Sequence, residues 1–415
     1  MWENNLIMDI KEYFEQFRNM TPYLEIDEEK WSYIKETYPK DEVRSILAEI
    51  AMEYPLPLVD ISEEDAVTEY RRLKTVRWNE MIDEQEWFPR KSEAERYHLT
   101  YDGKPMLFKR YNGGNKASDY FHQLNRWSIC GSQGPGPVRT WENHKFMTSL
   151  MGALYSLNLD RVDKKNLRIC LSLRKYIASQ FKPSVAKAIY DYFKAETILD
   201  FSMGWGDRLC GFYASEYGKK YIGLDPRSEN HPIYKEQVEF YKKHNGWFEH
   251  EREAIIHCNP AEDFDFTPYH NQVDLIFTSP PYFNVEKYSE AETQSWVRYR
   301  TIDIWNKEFL HKALKSMIPT LKEGGIMAIN ISDVFSTSGS ERTYLSIVNP
   351  MCDFLVEQGL TYKGCIGMEM AKRPNSGGAG MARENDVNKW SEESLELSEE
   401  TKDKKFGEPI WVFQK

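Results

Sequence analysis

From about residue 176 onward, short apolar runs alternate with longer amphipathic ones, and this alternation constrains the fold more than any other feature. SVAKAIYDYF is spaced as a helix and precedes a strand-like run, TILDFS. The Gly-rich turn MGWGDR then leads into a helix at LCGFYASEYG. YIGLDP, AIIHC and VDLIFTS read as further strands, with a helix at HPIYKEQVEFYKKH between the first two. A long helix is expected over about 296–319, followed by the strand IMAINISD, a helix at YLSIVNPMCDFLVEQG and the strand YKGCIGMEM. A polar stretch, 371–407, is expected to be mobile. PIWVFQ closes the chain as a strand with no helix before it. Such a pattern predicts an α/β class: a Rossmann-like, seven-stranded sheet with helices on both faces, its last strand returning antiparallel beside its predecessor.

A length of 415 residues predicts two or three domains. No apolar run approaches the roughly 20 residues that span a bilayer, so no membrane association is expected. The start, MWENNLIMDIKEYFEQF, has neither the basic opening nor the apolar core of a signal peptide. Six cysteines (130, 170, 210, 258, 352 and 365) lie far apart and form no Cys-x-x-Cys pair. Neither a zinc site nor a disulfide framework is indicated, and a reducing, cytoplasmic compartment fits best.

The net charge of −11 argues against a polyanionic partner until its distribution is examined. Residues 1–88 hold 10 Lys/Arg and 22 Asp/Glu, whereas residues 89–190 hold 18 Lys/Arg and 7 Asp/Glu. A basic middle between acidic flanks suits a nucleic-acid face. It equally suits a solvated surface that pairs with the acidic N-terminal part. The expected organisation is therefore an acidic helical region (1–88), a basic recognition region (89–175) and an α/β domain (176–415). KEYFEQF and DEVRSILAEIAMEY carry helical spacing in the first of these. In the second, LTYDGKPMLFKRY reads as a hairpin turned at Asp102-Gly103. Further on, RWSICGSQGPGPVRTWENHKF surrounds an irregular Gly-Pro-Gly-Pro with Arg126, Trp127, Arg139 and Trp141. Basic and aromatic residues around a loop suit phosphate contact and base stacking; a connecting loop with core tryptophans is the plainer reading.

The chemistry concentrates at the ends of the strand-like runs. Gly204-x-Gly206 lacks the third glycine of a dinucleotide motif. Asp225 follows about 20 residues later, where a carboxylate accepts the hydroxyls of a ribose. The third run ends at NPAED, from which Glu262 or Asp263 can reach an exocyclic amine on an adenine. Together these describe a nucleoside pocket without a phosphate clamp, and S-adenosylmethionine is such a ligand. The fourth run ends in TSPPYF, Thr278 to Phe283. Two prolines cannot continue a sheet ladder, so this is either a stiff exit turn or a rigid site at a strand's carboxyl end. The Ser279 hydroxyl and the Pro280 carbonyl, stiffened by Pro281, can accept both hydrogens of a base's exocyclic amine. That would localise a lone pair the ring otherwise delocalises. Tyr282 can stack on a base removed from its helix.

This combination resembles the DNA amino-methyltransferases, S-adenosylmethionine-dependent enzymes that act on N4 of cytosine or N6 of adenine. Ser279-Pro280-Pro281-Tyr282 matches their catalytic motif, [S/N/D]-P-P-[Y/F]. Asp200 to Gly206 resembles their cofactor motif D-x-F-x-G-x-G, except that Ser202 stands at the usual Phe position and Phe201 one place earlier. FKPSVA (181–186) resembles the segment that wraps the methionine end of the cofactor, while LKEGGIMAINISD and GEPIWVFQK resemble the fifth and terminal strands. The resemblance covers about 176–415 and implies cofactor contacts from Lys182, Pro183, Ser184, Asp200, Ser202, Gly204, Gly206, Asp225, Glu262, Asp263 and Thr278. Serine before the prolines is commoner in the N4-cytosine enzymes, which favours cytosine over adenine. No Pro-Cys dipeptide is present, which excludes a cytosine-C5 mechanism. Only about 70 residues separate the cofactor and catalytic motifs, so target recognition is expected in 89–175. DNA is the expected partner, with RNA as a rival substrate and a cognate restriction endonuclease as a companion. The reading from a different class is a non-catalytic S-adenosylmethionine-binding protein.

Overall fold

The computed structural model describes residues 8–89, 97–131, 134–246, 251–336, 343–370 and 404–415. Of the stretch expected to be mobile, 371–403 lies outside the described residues. The chain forms two compact units, one of 1–60 with 123–179 and one of 61–122 with 180–415. These divisions differ from the expected boundaries at 88 and 175.

The first unit is helical. Its core includes Trp31, Leu47, Trp127, Trp141, Leu150 and Leu154. Asp27, Asn143 and Asp163 cap the helices Glu28–Thr37, His144–Ser156 and Lys164–Arg174 by accepting from backbone N–H groups. Residues from both chain segments interlock. The Trp31 indole donates to the Leu159 carbonyl at 3.1 Å, and Arg44 Nε to the Thr148 carbonyl at 3.1 Å. Lys164 pairs with Asp60 at 2.7 Å. The acidic start and part of the basic middle are thus one folding unit.

The second unit is α/β. Its central strands are β1 (Thr197–Asp200), β2 (Lys220–Leu224), β3 (Glu253–His257), β4 (Val273–Thr278), β5 (Leu321–Asn330), β6 (Thr361–Glu369) and β7 (Lys405–Gln414). They lie in the order 6-7-5-4-1-2-3. Pairing is parallel from β5 through β4, β1 and β2 to β3, and β7 runs antiparallel between β5 and β6. The expected seven-stranded, Rossmann-like sheet is therefore present. Successive side chains of a strand point to opposite faces, so a strand covered on both faces is apolar throughout. Ile198, Leu275, Phe277, Ala328 and Val412 enter one core; Leu199, Ile276, Met327, Ile329 and Phe413 enter the other. The strand order reverses between β4 and β1, which opens a crevice at their carboxyl ends.

Three short strands extend this sheet. Leu107–Phe108 lies parallel to β6 and antiparallel to Ile82–Asp83, and Trp87–Phe88 pairs with β7. The turn at Asp102-Gly103 forms as expected, with φ of 48° and 77° and two backbone bonds between Tyr101 and Lys104. Its arms do not continue as a hairpin, because Leu107 and Phe108 complete the edge of the large sheet instead. The long helix expected over 296–319 is also interrupted. Ser295–Arg298 is a single turn, Tyr299 is extended, and a second helical run starts at Ile302 and contains a π-helical stretch, Trp305–His311. Among the described residues no helix is long and apolar enough to cross a membrane.

Candidate active site at the carboxyl ends of the strands

A cleft of about 640 Å³, counting its open mouth, lies over the carboxyl ends of β1 to β4. Six of the residues singled out from the sequence line it: Ser202, Gly204, Asp225, Glu262, Ser279 and Pro281.

The loop after β1 is shaped by its glycines. Gly204 and Gly206 have φ of 58° and 69°, a region that L side chains rarely adopt. A Cβ on Gly206 would collide with the Gln237 side-chain amide. Asp200 anchors this loop from below rather than facing the cleft. It is fully buried and accepts from Arg208 Nε (2.8 Å), Tyr221 OH (2.6 Å), Thr278 Oγ1 (2.9 Å) and the Ser202 N–H (3.2 Å). Its lone pairs are committed, so Asp200 and the equally buried Thr278 support the site instead of touching a ligand. Gly206 likewise acts through packing.

At the end of β2, Asp225 accepts from the Gly204 N–H (3.0 Å), the Arg227 N–H (2.8 Å) and Tyr234 OH (3.1 Å). Among the described residues only the Arg227 N–H falls on Oδ1, which leaves that oxygen acceptor capacity for a ribose hydroxyl. Burial pushes its carboxyl up to about 6, against the opposing pull of these hydrogen bonds. At the end of β3 the two candidates part. Glu262 is buried in the cleft and its carboxyl is raised, mainly by burial. Asp263 lies outside the lining and pairs with Arg298 and Lys312 at 2.7 and 3.0 Å.

β4 delivers Ser279 to the cleft. After it, the Phe283 N–H donates to the Pro281 carbonyl and the Val285 N–H to the Tyr282 carbonyl, at 3.1 and 3.0 Å. Phe283 takes a left-handed φ of 47° and buries its ring 6.1 Å from that of Trp305. The turn is thereby fixed from both sides. Among the described residues no group bonds the Ser279 hydroxyl or the Pro280 carbonyl. Tyr282 is half-buried and packs against the core.

The remaining expected contacts fall elsewhere. Lys182, Pro183 and Ser184 begin the helix Pro183–Tyr192 outside the cleft lining, and the Ser184 hydroxyl donates to the Tyr111 carbonyl at 2.7 Å. The four nucleic-acid candidates belong to the helical unit. Trp127 and Trp141 are 4% and 7% exposed, and the Trp141 indole donates to the Tyr54 carbonyl at 2.9 Å. Both rings pack in the core of the helical unit, so neither offers a face for base stacking. Arg126 donates to the Ala178 carbonyl at 2.9 Å, and only Arg139 is exposed.

Several lining residues escaped the sequence reading: Trp205, Arg227, Asn230, Gln294 and Phe309. Arg227 lies over the Trp205 ring at 5.4 Å. Among the described residues, Asn230 Oδ1 and Gln294 Nε2 are buried in the cleft wall without a hydrogen-bond partner, which marks a place for a polar ligand. Trp205 was within reach of the sequence, standing between the two glycines. Gln294 was not, because nothing local distinguishes it. The donors and acceptors present fit a nucleoside: a carboxylate at the ribose end, a second at the base end, and an apolar floor of Phe201, Ala261 and Phe309.

Residues 273–414 match the N6_N4_Mtase family, described as DNA methylase. The match begins with β4 and ends with β7. None of the curated proteins matches the chain. Among solved structures, an S-adenosylmethionine-dependent methyltransferase from Mesorhizobium loti is 10% identical, with 53% of this chain and 90% of that one covered at a TM-score of 0.27. An S-adenosylmethionine-dependent O-methyltransferase from Thermotoga maritima is 15% identical, with 60% and 69% covered at a TM-score of 0.31. The O-methyltransferase segment StiE is 14% identical, with 72% and 89% covered at a TM-score of 0.35.

Proposed function

Taking as premise that residues 273–414 carry the DNA methylase family pattern, we propose that the α/β unit is an S-adenosylmethionine-dependent DNA methyltransferase acting on an exocyclic amine, N4 of cytosine ahead of N6 of adenine. The observation that carries this reading is the pair Ser279 Oγ and the Pro280 carbonyl, which no group among the described residues bonds, on the turn beside the cleft.

The cofactor, when bound, supplies a methyl group on a positively charged sulfur. Asp225 accepts from its ribose, and Glu262 from its base. Ser279 and the Pro280 carbonyl each accept one hydrogen of the target amine. Held so, the nitrogen turns its lone pair out of conjugation with the ring and towards the methyl group. The gain is one of alignment and fixed electrostatics, with no covalent intermediate on the protein. The proton released by the methylated amine passes to solvent, since serine is too weak a base to keep it. Tyr282 supports an extruded base by stacking.

Transfer of labelled methyl from S-adenosylmethionine to mixed-sequence DNA and, in parallel, to RNA tests this, with the product digested and identified by mass. N4-methylcytosine in DNA is the expected product. N6-methyladenine keeps the mechanism and overturns the preference drawn from Ser279. Label in RNA alone, or in neither polymer while the cofactor binds, overturns the DNA assignment.

A further inference from the structure

Residues 284–299 form a strap that leaves the catalytic turn and crosses to the ends of β2 and β3. Thr293 Oγ1 donates to the Pro226 carbonyl at 3.3 Å, and the Trp305 indole holds Ser295 Oγ at 3.2 Å. Tyr288, Thr293, Gln294 and Ser295 bring the strap into the cleft wall. Gln294 is 5% exposed and its Nε2 has no partner among the described residues, so the strap presents an unmet donor where a ligand would lie.

Arg298 fastens the end of the strap. Its guanidinium spans neighbouring carboxylates, with Nη1 2.6 Å from Glu262 Oε1 and Nη2 2.7 Å from Asp263 Oδ2. The Tyr299 hydroxyl donates to the same Glu262 oxygen at 3.2 Å. The Glu262 side chain is only 1% exposed, and both of these bonds fall on Oε1. The Glu262 backbone N–H also bonds its own carboxylate, and among the described residues no side-chain donor falls on Oε2.

Resting on the cofactor reading above, we propose that Arg298 is a positioning residue that sets cofactor specificity. With Tyr299 it pins Oε1 of Glu262, which leaves Oε2 to accept an N–H from the 6-amino group of the cofactor's purine. A purine with a 6-oxo group would set one acceptor against another inside a buried wall, a mismatch of about 10- to 100-fold in affinity. Without Arg298 the carboxylate is free to rotate, and Oε2 is no longer held as a fixed acceptor that rejects the 6-oxo group.

The test is titration of the full chain at pH 8 with S-adenosylhomocysteine and with S-inosylhomocysteine, in the unaltered protein and in Arg298→Gln, Arg298→Lys and Tyr299→Phe. The expected result is a preference for the adenosyl ligand that falls to within about 3-fold of parity in Arg298→Gln, with Arg298→Lys and Tyr299→Phe intermediate. Equal weakening of both ligands, with the preference unchanged, would reduce Arg298 to a fastener of the strap and overturn the proposal. If Arg298→Gln does not fold, an unchanged preference in Tyr299→Phe overturns it in the same way. Equal binding of both ligands by the unaltered protein overturns the role of Glu262 while keeping the cofactor. Binding of neither removes the cofactor reading itself and the proposal with it.

Discussion

The Thr278 hydroxyl donates to Asp200 Oδ1 at 2.9 Å, and through this bond the last residue of β4 is tied to the last residue of β1. Thr278 immediately precedes Ser279, and Asp200 also holds the Ser202 N–H of the loop after β1 at 3.2 Å. The two halves of the site are therefore positioned by one buried carboxylate. Thr278→Val keeps the shape and removes the donor. It is expected to cost about 1–3 kcal/mol of stability, read by chemical denaturation, and to lower methyl transfer about 10-fold. Unchanged transfer would show that the turn holds its place without this bond.

Ser279→Ala removes one of the two acceptors for the amine and leaves the cleft intact. Methyl transfer should fall about 100-fold or more, as when one preorganised electrostatic partner is lost elsewhere. Cofactor affinity, measured by calorimetry, should stay within about 2-fold. A variant that transfers methyl at the original rate would remove Ser279 from the reaction.

Asp225 predicts a pH dependence with opposite signs for binding and for folding. Its carboxyl is held near 6 by burial, above the roughly 3.9 of an unfolded aspartate. The folded state therefore binds more protons than the unfolded one between about pH 4 and 6, and this group's contribution to stability falls as pH rises through that window. The span is on the order of 3 kcal/mol and levels off above pH 6. The ionised form accepts the ribose better, so S-adenosylmethionine affinity should rise with pH through about 6. Calorimetry from pH 5 to 8 should show that rise, and Asp225→Asn should abolish it.

Trp141 should behave as a core residue. Trp141→Phe removes the indole bond to the Tyr54 carbonyl and is expected to destabilise the helical unit by about 1–2 kcal/mol, with DNA affinity unchanged. Trp141→Ala should cost about 3–5 kcal/mol. Loss of DNA binding in Trp141→Phe at full stability would restore the stacking role.

The sequence by itself determined the sheet and the places where chemistry gathers. Strands such as VDLIFT are buried on both faces, and their continuous apolar runs are a local signal. Glycines needed for φ of 58° and 69°, and prolines that end a ladder, carry their constraint in their own covalent structure. Only the tertiary structure decided which polar groups face the cleft. Asp200 ends β1 and Asp225 follows β2, yet four donors close around Asp200 from the loop after β1, β2, β4 and the helix Asp207–Ala214, whereas Asp225 keeps room on one oxygen. Glu262 and Asp263 are neighbours in the chain and both pair with Arg298, yet of the two Glu262 alone lines the cleft. Trp127 and Trp141 carry the composition of a stacking surface, but both pack in one core with residues between Phe14 and Tyr54. Burial and hydrogen-bond partners are set by residues distant in sequence, so a local pattern names the candidates and packing chooses among them.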